Sequence, residues 1–204
     1  EEKHFLNEDN FVFRNDPERV YMMDFDRRTN EIFEGTGSDF EGKRLTLGVG
    51  NTENFEVKKS ENEHYIAFKT SLSLWRYDQS TKTGHATQIF SYRSETEDAI
   101  RANYDQHDMK ILSVSDKGDV DFMVYGYVNR GQHEGNNGIL YYRYDSSEDT
   151  VTEKFFIAIP ETYEEIKWNL DKLSYLSGDG MLYLYYNGSV YGIDTNSLEV
   201  VTMA

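Results

Sequence analysis

Ile139-Leu140-Tyr141-Tyr142-Arg143-Tyr144-Asp145 is the stretch that decides the fold, because its pattern recurs three more times. The other copies are Val20-Tyr21-Met22-Met23-Asp24-Phe25-Asp26, Leu72-Ser73-Leu74-Trp75-Arg76-Tyr77-Asp78 and Val190-Tyr191-Gly192-Ile193-Asp194. Each alternates or runs apolar, closes on an aspartate and leads into a polar turn. The closing aspartates lie 52, 67 and 49 residues apart. Self-similarity on this scale marks a repeat architecture.

Around each phrase sit further β-type runs. Upstream lie Asn10-Phe11-Val12-Phe13, His64 to Phe68, Val120 to Tyr127 and Met181 to Tyr186. Downstream lie Glu31-Ile32-Phe33, Ala86 to Phe90, Thr152 to Ile157 and Glu199-Val200-Val201. Ser, Thr, Asn, Asp and Gly fill the links, which is turn chemistry. An earlier strand precedes the last two copies, at Ile111 to Gly118 and Leu173 to Gly180. Both end on a glycine-containing turn, where positive φ is free of a Cβ clash. Residues 54–59 and 4–6 are the corresponding strands of the second and first copies. The predicted units are approximately 1–40, 41–93, 108–160 and 171–204, together one domain. Ser94-Glu95-Thr96-Glu97 and Thr162-Tyr163-Glu164-Glu165 each fit a helix capping box between units.

Four-stranded antiparallel units of this length resemble the blades of β-propellers, notably the quinoprotein and YVTN-like types. The resemblance implies an all-β, propeller-like array of about four blades, either a small closed ring or an arc of a larger propeller. Val124 to Gly135 also resembles a stretch of uncharacterised envelope proteins of Gram-positive bacteria, which implies an extracellular or envelope location with cytoplasm as the other option. The chain starts at Glu1, as expected of a processed product or a piece of a longer protein.

Composition narrows the function. A net charge of −16 repels phosphate backbones and anionic lipid, which argues against nucleic acid as a partner. The absence of cysteine removes disulfide and thiolate chemistry. No run approaches the roughly 20 apolar residues of a membrane helix. The expected partner is a protein, a glycan or the remainder of a longer chain.

The recurring aspartates read as turn residues, because a carboxylate closing a strand accepts hydrogen bonds from the backbone two residues on. In the third copy the link between the second and third strands lengthens to Asn129-Arg130-Gly131-Gln132-His133-Glu134-Gly135-Asn136-Asn137-Gly138. Long polar loops on rigid scaffolds tend to carry function. Asn129, Arg130, Gln132, His133 and Glu134 are therefore the candidate binding residues. No zinc spacing surrounds His133, and His4, His64, His85 and His107 are isolated in sequence. Asp116 to Asp121 lacks the closing Glu of a calcium loop, and the glycines near 48–50 and 126–131 lack the rest of a nucleotide motif. No metal and no cofactor are expected, and no catalytic residue is singled out. The leading expectation is a non-catalytic binding or scaffolding module. The alternative is a carbohydrate-active hydrolase with paired carboxylates on the loop-bearing face, where the two groups would stand about 5 to 9.5 Å apart.

Overall fold

The computed structural model describes residues 4–35, 39–41, 44–47, 55–70, 73–81, 86–92 and 104–203. Its strands are β1 (Phe5–Asn15), β2 (Val20–Glu31), β3 (Phe40–Glu41), β4 (Arg44–Leu45), β5 (Val57–Lys59), β6 (Tyr65–Thr70), β7 (Ser73–Asp78) and β8 (Ala86–Ser91). They continue as β9 (His107–Val114), β10 (Val120–Tyr127), β11 (Asn137–Asp145), β12 (Thr150–Ala158), β13 (Ser174–Leu176), β14 (Met181–Tyr186), β15 (Ser189–Asp194) and β16 (Val200–Met203). One helix, α1 (Tyr163–Lys172), joins β12 to β13. The protein is all-β and propeller-like: β5 to β8, β9 to β12 and β13 to β16 form three successive four-stranded antiparallel meanders.

Packing between the blades makes the core. Ala67, Leu74 and Ile89 of the β5–β8 sheet meet Ile111, Phe122, Val124 and Leu140 of the β9–β12 sheet. On the other side of that sheet, Met123, Tyr125, Ile139 and Tyr141 meet Leu182, Leu184 and Ile193. β10 thus buries alternate residues against different neighbours, so it reads as one apolar run from Phe122 to Tyr125. A third cluster of Phe33, Phe68, Trp75 and Ala86 covers the outer face of the β5–β8 sheet.

Polar ties cross the first junction too. The Lys69 ammonium donates to Asp108 Oδ1 at 2.8 Å and to the Met109 carbonyl at 3.1 Å. Glu56 Oε2 accepts from the Ile111 N–H at 2.9 Å. Burial holds the Glu56 carboxyl above its ordinary range.

Three of the four recurring aspartates set turns. Asp78 Oδ1 accepts from the Ser80 N–H, Asp145 Oδ1 from Ser147 and Glu148, and Asp194 Oδ1 from Asn196 and Ser197. Those bonds hold the Asp145 and Asp194 carboxyls below their ordinary range, led at Asp145 by the Ser147 side chain and at Asp194 by the Ser197 backbone.

The first unit differs from the expected four strands. β1 and β2 form a long two-stranded hairpin. Asp26 sets no turn there; Arg27 pairs with Asp9 at 2.7 Å and Thr29 with Asn7 at 2.7 Å, and these cross-strand pairs carry the ladder on to Phe5↔Glu31. Hairpin residues Phe11, Phe13, Met22 and Phe25 are exposed, and so is all of β16. The two ends of the array therefore do not bury each other among the described residues.

The second capping box is formed: Thr162 N–H donates to Glu165 Oε2 at 2.8 Å, and α1 buries Ile166 and Leu170 in the second junction. The first box, residues 94–97, lies outside the described residues, as do the glycines at 48 and 50.

Candidate functional site on the loop-bearing face

The long loop folds back on the end of its own blade. Val128 N–H donates to the Asn136 carbonyl, and Gly135 N–H to the Val128 carbonyl, closing the base of the loop. Gly131 and Gly135 adopt φ of +85° and +86°, which lets the chain reverse twice. The reversal carries His133 over β12. Its ring stacks on Phe156 with centroids 4.1 Å apart.

His133 Nε2 stands 3.0 Å from Glu153 Oε1. Gln132 Nε2 lies 2.8 Å from the same ring nitrogen and 3.3 Å from the same carboxylate oxygen. The Tyr142 hydroxyl donates to Glu153 Oε2 at 3.4 Å. Glu153 is thereby contacted at both oxygens. With Nε2 protonated the ring donates to Glu153, leaves the Nδ1 lone pair as its acceptor, and the Gln132 amide bonds to the carboxylate alone; with Nε2 unprotonated the Gln132 amide donates to the ring instead. About a quarter of each side chain, 24% for His133 and 27% for Glu153, remains exposed.

A bulge aims this carboxylate. Along β11 and β12, Tyr141 pairs with Phe155 while Tyr142 pairs with Glu153, so Lys154 is an extra residue. Glu153 and Phe155 then serve opposite sides of the sheet. Phe155 stacks on Tyr141 at 5.1 Å toward the last blade, and Glu153 reaches Tyr142 and the loop on the other side.

Behind the pair lies a buried aromatic layer. Tyr92 meets His107 edge-on at 4.6 Å, and Arg130 sits over the Tyr92 ring at 5.4 Å while its Nη2 donates to the Ser91 carbonyl. Desolvation pushes the Tyr92 hydroxyl up to about 12 and raises the Tyr142 hydroxyl. His107 is 2% exposed, and neither ring nitrogen has a hydrogen-bond partner among the described residues. Burial pushes its imidazole down to about 4, so it is neutral at pH 7.

Of the residues expected from the sequence, Gln132 and His133 come together at the carboxylate. Arg130 turns to the preceding blade. Asn129 is buried at 1% exposure, and Glu134 is exposed on the loop. Glu153, Tyr142, Tyr92 and His107 were not expected here. Among the described residues no three His, Asp or Glu side chains are arranged to hold a metal ion.

No family model matches the chain, and no curated protein matches it. A solved structure that it resembles is that of a Bacteroides fragilis protein provisionally named a 6-phosphogluconolactonase, at 11% identity and a TM-score of 0.41. The match covers 98% of this chain and 54% of the other, so the chain spans about half the length of the protein it matches. The expectations of a non-catalytic binding or scaffolding module, and of a chain more an interaction module than an enzyme, find no support in these comparisons, whose structural neighbour bears an enzyme's name. No residue role or substrate is carried over from a likeness of this size.

Proposed function

We propose that the chain carries a hydrolytic site on its loop-bearing face and acts on a carbohydrate-derived substrate. The observation that carries this reading is the His133–Glu153 pair at 3.0 Å, partly open to solvent. A carboxylate that accepts from one imidazole nitrogen fixes the tautomer and stabilises the imidazolium formed when the other nitrogen takes a proton from water. This replaces the paired-carboxylate form of the alternative. Glu153 is committed to His133 and Tyr142 at its two oxygens, which suits orientation better than nucleophilic attack. The Gln132 and Asn136 amides beside the His133–Phe156 stack supply the polar groups and apolar face that sugars use.

As further parts of this reading, the units are blades of the YVTN-like type, on the strength of the strand phrase closing at Asp78, Asp145 and Asp194, and the protein works outside the cell or in its envelope. Trp168, 63% exposed on α1 with the Lys172 ammonium 4.9 Å from its ring, offers a second aromatic face.

A panel of nitrophenyl glycosides, sugar lactones and acetylated sugars tests the reading. Turnover above buffer by the wild type, lost in His133→Ala, is the expected result. Absence of turnover across the panel overturns the proposal.

A further inference from the structure

The bulge that aims Glu153 places Lys154 at the opposite junction. There a cavity of about 200 Å³ is lined by Tyr141, Arg143, Lys154, Thr195, Asn196 and Leu198. It lies between the β9–β12 sheet and the turn that follows Asp194. We infer that this cavity binds a small oxyanion, the phosphate or carboxylate group of a small ligand.

Internal repetition supplies the first argument. The preceding blade has the same bulge at the same place: Leu74 pairs with Phe90 and Trp75 with Gln88, which leaves Ile89 as the extra residue. Ile89 is 7% exposed and packs in the core between blades. Its counterpart Lys154 is an exposed cation beside a cavity. The first junction is closed by an aliphatic side chain at this position, and the second is not.

Charge and donors supply the second. Two cations converge in a chain of net charge −16. Arg143 Nε has Asp121 Oδ1 4.0 Å away. Lys154 has no hydrogen bond or ion pair among the described residues. The Asn196 carboxamide is likewise without a hydrogen bond, its backbone N–H being used by Asp194. The Thr195 hydroxyl donates to the Gly180 carbonyl at 2.9 Å and Tyr141 is buried, so these two complete the lining while Lys154, Arg143 and the Asn196 amide supply the donors. Arg, Lys and amide donors around a small volume match the acceptor oxygens of an oxyanion through charge-assisted hydrogen bonds. The volume is below the roughly 300 Å³ at which drug-sized ligands begin to fit, so a small group is the occupant.

The test reads binding rather than turnover and is independent of the hydrolytic proposal. Inorganic phosphate and, separately, acetate are titrated into the protein at low ionic strength while backbone amide shifts are followed by NMR. Saturable shifts at Thr195, Asn196 and Leu198 are expected. A response to phosphate alone identifies a phosphate group, and a response to acetate a carboxylate group. Lys154→Glu is expected to weaken binding about tenfold or more, and Asn196→Ala to weaken it less, with the melting temperatures of both kept. Flat titrations with both anions overturn the inference, and so does equal affinity in Lys154→Glu and wild type.

Discussion

His133 and Glu153 meet at 3.0 Å although 20 residues and the whole of β11 separate them. Two local devices produce the contact. The glycines of the β10–β11 loop turn the chain back over its own blade, and the β12 bulge rotates the carboxylate to the loop's side of the sheet. The pair is thus built from backbone geometry, with Phe156 holding the imidazole ring from one face.

If the carboxylate orients the base, Glu153→Gln removes the negative charge that stabilises the imidazolium while keeping the shape. Steady-state kinetics on whichever substrate the panel identifies are expected to show kcat reduced about 10- to 100-fold, with KM little changed. A rise in KM at constant kcat would place Glu153 in substrate binding instead.

The buried imidazole of His107 makes stability depend on pH with a defined sign. Its folded value is pushed down to about 4 from an ordinary 6.5, first by burial, with Asp108 and Asp105 opposing and Arg130 reinforcing. Above 6.5 both folded and unfolded chains hold it neutral, so it contributes no pH dependence. As pH falls from 6.5 to 4 the unfolded chain takes up a proton that the folded one refuses, and stability is lost, by about 3 kcal/mol at most. His107→Phe keeps an aromatic ring against Tyr92 and leaves no nitrogen to protonate. Urea unfolding should find it more stable than wild type at pH 5 and within about 1 kcal/mol of it at pH 8. A difference between the two proteins that stays constant with pH contradicts the account.

Two glycines near the loop separate packing from backbone strain. A Cβ on Gly126, at φ +112°, would stand 2.4 Å from the Gln106 carbonyl oxygen and 2.8 Å from His107 Cα. One on Gly131, at φ +85°, meets nothing within 4 Å. Gly126→Ala is expected to cost more than about 3 kcal/mol, since backbone must move, and Gly131→Ala about 1 kcal/mol of conformational strain. Chemical denaturation of both variants checks the order.

Much of the architecture was legible because its signals are local. Asp145 and Asp194 close strands and bond their own turns, and that device is visible as a repeated phrase. Asp26 carries the same phrase, yet the residues after it, Arg27 and Thr29, find partners in Asp9 and Asn7 and extend the strand. Pairing between distant residues decided that unit, and the phrase alone does not encode it. For the site, the loop stood out by length against its counterparts. Glu153 did not, being one of 37 acidic residues, and a strict two-residue alternation would have put it on the same side as Phe155. The bulge that breaks the alternation has no sequence mark of its own. His107 was isolated in sequence, and only the packing of Tyr92 against it shows it to be buried.

The most direct measurement is the rate of hydrolysis by wild type and His133→Ala on the best substrate of the panel, with equal melting temperatures established first. The account predicts a fall in kcat of about 100-fold or more, the usual contribution of a positioned general base. Unchanged turnover in His133→Ala would contradict it.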